Sequence, residues 1–192
     1  MSYLKEVIAN RRSIRKYQSQ SIEKEKIIEV LKAGNLAPSN GNSQPWKFYV
    51  LGGEFRDLVC KTFYEFAKDY IPKAPYIPAE KKAGMLEYAK DFGGAPLHIA
   101  VSYEICGDKI KDDEALMAAS AAVQNILLAA YDLGLGTVWI GGEVLTNKQV
   151  LAKLEVPQNH ALVAIIPIGY PAENPITPPR KDPDLNEVKW LA

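Results

Sequence analysis

Apolar positions along the chain recur with two spacings. Tyr3 to Asn10 and Glu23 to Leu36 repeat at helical intervals, and Ile27, Ile28, Val30 and Leu31 supply one apolar face of the second stretch. Ser21, just ahead of Glu23, Glu25 and Lys26, marks the N-cap region of that helix. Trp46 to Leu51 is a short apolar run bounded by Gly52 and Gly53, which predicts a strand. Phe55 to Lys68 returns to helical spacing, and Glu80 to Lys90 predicts a shorter helix. Leu97 to Tyr103 and Ala161 to Ile168 are rich in β-branched residues and read as strands, with Thr137 to Ile140 a third, shorter one.

Asp112 to Leu133 is Ala-rich on nearly every side, so neighbouring backbones can approach it closely, which predicts a central helix surrounded by protein. Ala115 to Leu135 approaches the length of a membrane span, but Ser120, Gln124, Asn125 and Asp132 interrupt it. Prolines cluster at Pro72, Pro75 and Pro78, and again from Pro171 to Pro183, which predicts irregular chain in both places. The first cluster, Asp69 to Glu80 with Tyr70 and Tyr76, is a candidate lid that extends to residue 90 if the helix behind it moves too; surface filler is the other reading. The second reads as an extended tail over residues 171–192. Neither looks like a boundary, so residues 1–192 form one domain. Helices outnumber strands and do not alternate with them regularly, which favours an α+β arrangement over a doubly wound parallel sheet.

Composition narrows the function. The 192 residues carry 23 basic and 23 acidic side chains, a formal net charge of zero, so no whole-molecule field attracts nucleic acid or an acidic membrane. Cys60 and Cys106 lie far apart, too few and too separate for an iron–sulfur cluster or a structural zinc site. Charged residues break the N-terminal stretch where a signal peptide places its apolar core, and a reduced, cytoplasmic setting is expected. G-x-G-x-x-G after a strand and the P-loop motif are both missing.

Four segments could carry chemistry. Arg11-Arg12-Ser13-Ile14-Arg15 follows the first helix. If extended, it points Arg11, Ser13 and Arg15 one way, and if helical, Arg11, Arg12 and Arg15, so Arg11 and Arg15 converge in either case. Two guanidinium groups and a hydroxyl suit a phosphate monoester, while the bland reading is a solvated basic helix end. Pro38-Ser39-Asn40-Gly41-Asn42-Ser43-Gln44-Pro45-Trp46 is either an ordinary turn or an amide-rich loop whose Asn40, Asn42 and Gln44 read the edge of a flat heterocycle. In Gly134 to Glu143 the glycines either serve backbone geometry or, at Gly141-Gly142, let a flat ligand lie on the main chain. Arg180-Lys181, in the tail, could complete a phosphate cage or simply be solvated. His98, inside an apolar strand, and His160, after a turn, lack a partner motif and read as structural.

In this order the four segments resemble the FMN-dependent nitroreductase family. Its pattern has an R-R-S-x-R-like segment after the first helix, a P-S-x-x-N-x-Q-P-W loop before the first strand, G-L-G-T-x-W-I-G-G in the second half, and a basic residue near the C-terminus. Phe92 to Pro96, leading into the strand at Leu97, extends the resemblance over nearly the whole chain. It implies a central, mainly antiparallel sheet surrounded by helices in an intertwined homodimer, with two FMN molecules at the subunit interface. By position, Arg11, Arg12, Ser13 and Arg15 would hold the ribityl phosphate and the pyrimidine edge, and Arg180 or Lys181 would close on the phosphate. Pro38, Ser39, Asn40 and Asn42 would come from the partner subunit, with Gln44 in the same cofactor-binding loop, and Ile140, Gly141 and Gly142 would lie near flavin N5.

A flavin performs the redox step itself, so an enzyme of this kind needs no catalytic side chain; its residues bind, orient and supply electrostatics. The resemblance implies an oxidoreductase that takes electrons from NADH or NADPH and passes them, in a ping-pong cycle, to nitroarenes, quinones or similar small electron-poor acceptors. Other readings are a non-catalytic flavin-binding module, or a specialised relative acting on halogenated aromatics or on flavin itself. No metal, nucleic acid or membrane partner is expected.

Overall fold

Four strands, β1 (Trp46–Leu51), β2 (Leu97–Glu104), β3 (Gly136–Thr137) and β4 (His160–Gly169), make one sheet in the order β1-β2-β4-β3, every pair antiparallel. The computed structural model describes residues 2–177, 179 and 188–191. A bulge falls in the middle of the sheet. Val101 of β2 pairs with Ala164 of β4 but Ser102 pairs with Leu162, which leaves Val163 unpaired and resets which side chains face which layer.

One face of the sheet is covered by α2 (Lys24–Asn35) and α5 (Lys109–Asp132). Ile99, Val101, Ile166 and Ile168 pack there against Ala118, Ala119, Ala122, Val123, Ile126 and Ala130 of α5. The expectation that protein surrounds α5 is corrected, because Ile110, Met117 and Tyr131 are exposed, but the small alanines let α2 and the sheet close on one face of the long helix. By length and hydropathy α5 could cross a membrane, yet this face of it is packed inside the protein. Its start is fixed by Asp108, whose carboxylate accepts from the N–H groups of Ile110 (3.0 Å) and Lys111 (3.3 Å).

The other face carries α3 (Gly53–Lys73) and α6 (Lys148–Lys153), with α4 (Ala79–Asp91) folded back on α3. The expectation that prolines keep Asp69 to Glu80 irregular is corrected here. Helix α3 runs on to Lys73 with Pro72 in its last turn, and α4 starts directly after Pro78. Within the last turn the missing proline N–H costs a single helical bond, and Ala67, Ile71, Ala74, Ile77 and Ala89 bury a small core that holds the hairpin shut. Only residues 74–78 remain irregular, so the candidate lid is a helical hairpin tip where Tyr70 and Tyr76 bond through their hydroxyls.

Two further expectations are corrected. Thr137 to Ile140 is not a continuous strand: pairing stops at Thr137, and the chain returns to β4 at Ile140, opposite Ile165. Between them Trp139 turns its indole N–H to the Val163 carbonyl at 3.2 Å, which pulls the chain off the ladder. Helix α2 is capped at Glu23 and has no side-chain cap bond, so Ser21 does not perform that role.

The second face also buries polar groups. Ser102 lies between the Tyr49 hydroxyl (3.4 Å) and His160 Nδ1 (3.0 Å). His98 is fully buried edge-on to Phe92, with ring centroids 5.1 Å apart, and neither its ring nitrogens nor the buried Tyr88 hydroxyl has a hydrogen-bond partner among the described residues. Burial, helped by the nearby Arg56, pushes the His98 pKa down to about 3 and keeps the ring neutral.

Candidate functional site

Helix α1 (Tyr3–Asn10) ends at Arg11, and the chain then runs extended. Ser13 makes a parallel bridge with Thr137 of β3, and the Ile14 N–H donates to the Thr137 carbonyl at 3.0 Å. Ile14 is buried, which by alternation leaves Arg11, Ser13 and Arg15 on the opposite side, and the strip departs from alternation at Tyr17, which is buried too. The strip is held from three directions. The Tyr17 N–H donates to the Gly93 carbonyl (3.0 Å), the Gln18 N–H to the Tyr170 carbonyl (2.9 Å), and the Ala172 N–H to the Lys16 carbonyl (2.9 Å). The Tyr17 hydroxyl donates inward to the carbonyls of Ile14 (2.7 Å) and Pro167 (3.2 Å). Burial raises the Tyr17 pKa well above the phenol range, so that proton stays on the oxygen.

Gly93 explains why the strip can lie so close. Its φ is +71°, and a Cβ there would sit 1.9 Å from the Arg15 carbonyl oxygen. Only glycine permits this contact.

Arg12 turns toward the start of the tail. Its guanidinium donates to Thr177 Oγ1 from Nε (3.1 Å) and Nη2 (2.7 Å), while Glu173 accepts the Arg15 N–H at 2.6 Å. The start of the tail therefore crosses the strip. Between them lies a cavity of about 150 Å³ lined by Arg11, Arg12, Ile14, Tyr131, Gly136 and Glu173 among others. That is smaller than the roughly 300–1,000 Å³ of ordinary small-molecule sites. Arg180 and Lys181 lie outside the described residues.

The loop from Pro38 to Gln44 sits elsewhere, at the entry to β1. Asn40 to Asn42 form a short 3-10 turn, with Gly41, Asn42 and Gln44 all at positive φ. Ser39 Oγ accepts the Gln44 N–H at 3.0 Å, and the Trp46 indole N–H donates to Asn35 Oδ1 at 3.0 Å. Asn40 Nδ2 donates to Glu114 of α5 at 2.7 Å. Pro38, Ser39 and Asn40 line a shallow cleft with Met117, Ala118 and Ala121. Glu114 and Tyr131 are seventeen residues apart on α5, a rise of about 25 Å. Within one chain, the amide loop and the arginine strip therefore stand at opposite ends of the central helix.

Gly141 and Gly142 follow the Ile140 bridge, and a Cβ on either would meet nothing within 4 Å. Gly142 has φ +88°, and the chain turns there into the short helix of Glu143–Leu145. This open backbone edge begins four residues beyond Thr137, the residue that Ser13 bridges, so it belongs to the same end of the molecule as the arginine strip. From Thr137 to Gly142 the chain can span at most about 18 Å. A strip carrying Arg11, Ser13 and Arg15 and a side-chain-free edge on the segment it bridges suit one ligand with a phosphate at one end and a flat ring at the other, so these residues fit FMN.

Sequence reasoning missed Gly93, Glu173, Thr177 and Glu114. Gly93 carried a signal, as half of a glycine pair ahead of β2. The other three act through contacts more than seventy positions apart, which no local pattern reveals.

An antiparallel sheet with a long Ala-rich helix on one face and a helical hairpin on the other is a nitroreductase-like α+β fold. The chain belongs to the nitroreductase family, whose model matches residues 8–170. It is similar to a Methanothermobacter thermautotrophicus protein provisionally named an NADH dehydrogenase/NAD(P)H nitroreductase, 35% identical over 96% of this chain and 86% of that protein. It is also similar to the 5,6-dimethylbenzimidazole synthase of Rhodospirillum rubrum, 30% identical over 94% and 85%. Among solved structures it resembles a provisionally assigned nitroreductase of Desulfovibrio desulfuricans in complex with FMN, with a TM-score of 0.73 and 29% identity over 100% of this chain and 99% of that one.

Proposed function

We propose that this chain is a cytoplasmic, homodimeric FMN-dependent oxidoreductase that uses NADH or NADPH to reduce nitroaromatic, quinone or similar electron-poor acceptors in a ping-pong cycle. The observation that carries this reading is a single segment, Thr137 to Gly142, that bridges the arginine strip through Ser13 at one end and presents the open Gly141-Gly142 backbone at the other. Family membership and an FMN-bound structural relative support it.

When bound, FMN supplies the hydride and electron chemistry. The chain's own residues bind and orient it. Arg11, Ser13 and Arg15 hold the phosphate, with Arg180 or Lys181 closing from the tail. Arg12 holds the pyrimidine edge, for which its side chain leaves Thr177. Ile140, Gly141 and Gly142 present main chain to the reactive side of the ring, and their N–H groups favour negative charge there.

The loop residues Pro38, Ser39, Asn40, Asn42 and Gln44 serve the site of a second copy. The separation along α5 supports this, because one chain alone brings only half of the proposed set together. Helix α3 flanks the segment after Gly142 through a cleft of about 410 Å³ that includes Phe66, Asp69 and Glu143, and walls the place where reductant and acceptor alternate.

Purified protein is expected to be yellow, to sediment as a dimer, and to bleach anaerobically with NADH or NADPH and recolour with a nitroarene or quinone. Colourless protein that ignores added FMN overturns the reading. Bound flavin that neither nicotinamide reduces would instead mark a non-catalytic flavin-binding module. A second reading is a specialised relative acting on flavin itself. Loss of FMN during aerobic turnover, in place of acceptor reduction, would select it.

A further inference from the structure

The contact between Asn40 and Glu114 constrains more than the shape of a loop. Asn40 Nδ2 lies 2.7 Å from Glu114 Oε2. An ionised carboxylate only accepts hydrogen bonds, so the amide must turn its NH₂ toward Glu114. The amide group is planar, and its carbonyl oxygen then points away from α5. The side chain thus presents an acceptor outward and keeps its donors inward.

Glu114 is well placed to impose this. It lies within the first two turns of α5, whose start is fixed by the Asp108 cap. It is half-buried and forms the wall, together with Asn40, between the cleft of Pro38, Met117 and Ala121 and a neighbouring one that reaches Ser43 and Cys106. The adjacent acid, Asp112, is already committed, because it accepts the N–H groups of Cys106 (2.7 Å) and Gly107 (3.1 Å), which lower its pKa. Glu114 is the carboxylate that α5 directs at the loop.

We propose that Glu114 is a positioning residue for the flavin site. It fixes Asn40 so that Oδ1 accepts from the ring N–H of the FMN held against this loop, and its charge opposes build-up of negative charge on that ring. The proposal rests on the FMN reading above.

The test compares Glu114→Ala and Glu114→Gln with the wild-type protein by FMN titration and by the reduction potential of the bound flavin. Alanine removes both the acceptor and the charge, so FMN should bind about tenfold more weakly and the potential should move positive. Glutamine keeps an acceptor oxygen without the charge, so affinity should stay within about threefold of wild type while the potential still moves positive. The melting midpoints of the FMN-free proteins should agree, which separates positioning from folding. Unchanged affinity and potential in Glu114→Ala overturns the proposal, as does equal loss of affinity in both variants. Failure of the wild-type protein itself to bind FMN overturns the underlying reading as well.

Discussion

The two ends of α5 carry the two halves of the proposed site, and they are built differently. At the C-terminal end, the strip from Arg11 to Gln18 takes backbone hydrogen bonds from β3, from the Gly93 turn and from the start of the tail. At the N-terminal end, the loop from Pro38 to Gln44 is largely exposed and bonds mainly within itself, through the Asn42 and Ser43 N–H groups to the Ser39 and Asn40 carbonyls (3.1 Å each) and through the Ser39 hydroxyl, with the Asn40 side chain tying it to α5. A group that must meet a doubly charged phosphate gains from being fixed in advance, because no ordering entropy is then lost on binding. A loop that completes a second copy's site tolerates more freedom, since docking supplies the remaining constraint.

The largest effect that would test this contrast lies on the strip. Replacing Arg11 and Arg15 together by alanine should weaken FMN binding by about a thousandfold, as expected from losing two charge-assisted contacts of roughly 1.5–3 kcal/mol each. Because Arg15 is exposed and Arg11 half-buried, the FMN-free variant should still melt near the wild-type midpoint. Flavin retention after gel filtration reads the outcome, and undiminished retention would remove the strip from the site.

Gly93→Ala attacks the same strip from beneath. The new Cβ would overlap the Arg15 carbonyl in a left-handed backbone, so either the turn or the strip must move. We expect about 3 kcal/mol of lost stability in a urea titration, together with weakened FMN binding. Alanine at Gly141, where nothing lies within 4 Å, should leave stability within about 1 kcal/mol of wild type. Equal destabilisation by the two substitutions would mean that the strip is not clamped as described.

These contacts mark how far the sequence could be read. Spacing and composition found five of the six helices and the three longer strands, because local pattern sets their faces, whereas the six-residue α6 is too short to show a period. That Arg11, Ser13 and Arg15 share one side of the segment was legible once it is extended, since Ile14 demands burial on the other side. Pro72 misled because proline's cost depends on where in a helix it falls, which α3 and α4 decide by packing together. Glu173, Thr177 and Glu114 were illegible because ordinary exposed residue types acquire a role only when the sheet order brings distant segments together. The separation of loop from strip is likewise a property of α5's length and not of either motif.

A more gradual effect comes from His98, next to the ring of Phe92, the residue that precedes Gly93. Its folded pKa of about 3 is below the unfolded value near 6.5, so the unfolded chain binds more protons throughout that window. Its contribution to stability is complete above pH 6.5 and is lost as pH falls toward 3, at about 1.4 kcal/mol per pH unit. His98→Phe should flatten this part of the urea-midpoint profile and should raise stability at neutral pH, because two unpartnered buried nitrogens disappear. An unchanged acid limb would show that other groups control it.

The smallest effect is expected in the loop. Ser39→Ala deprives the exposed Gln44 N–H of its acceptor, and water can replace it, so the cost should be about 1 kcal/mol or less and the melting midpoint should move by about 2–4 °C at most. Amide exchange at Gln44 should nevertheless speed up several-fold in the FMN-free protein, because that bond helps to close the turn. With FMN bound, the difference in exchange should shrink if the second copy and the ligand supply the missing constraint. Exchange that stays equally fast with and without FMN would place the loop away from the ligand. The contrast between the two ends of α5 would then be one between a binding strip and an ordinary surface turn.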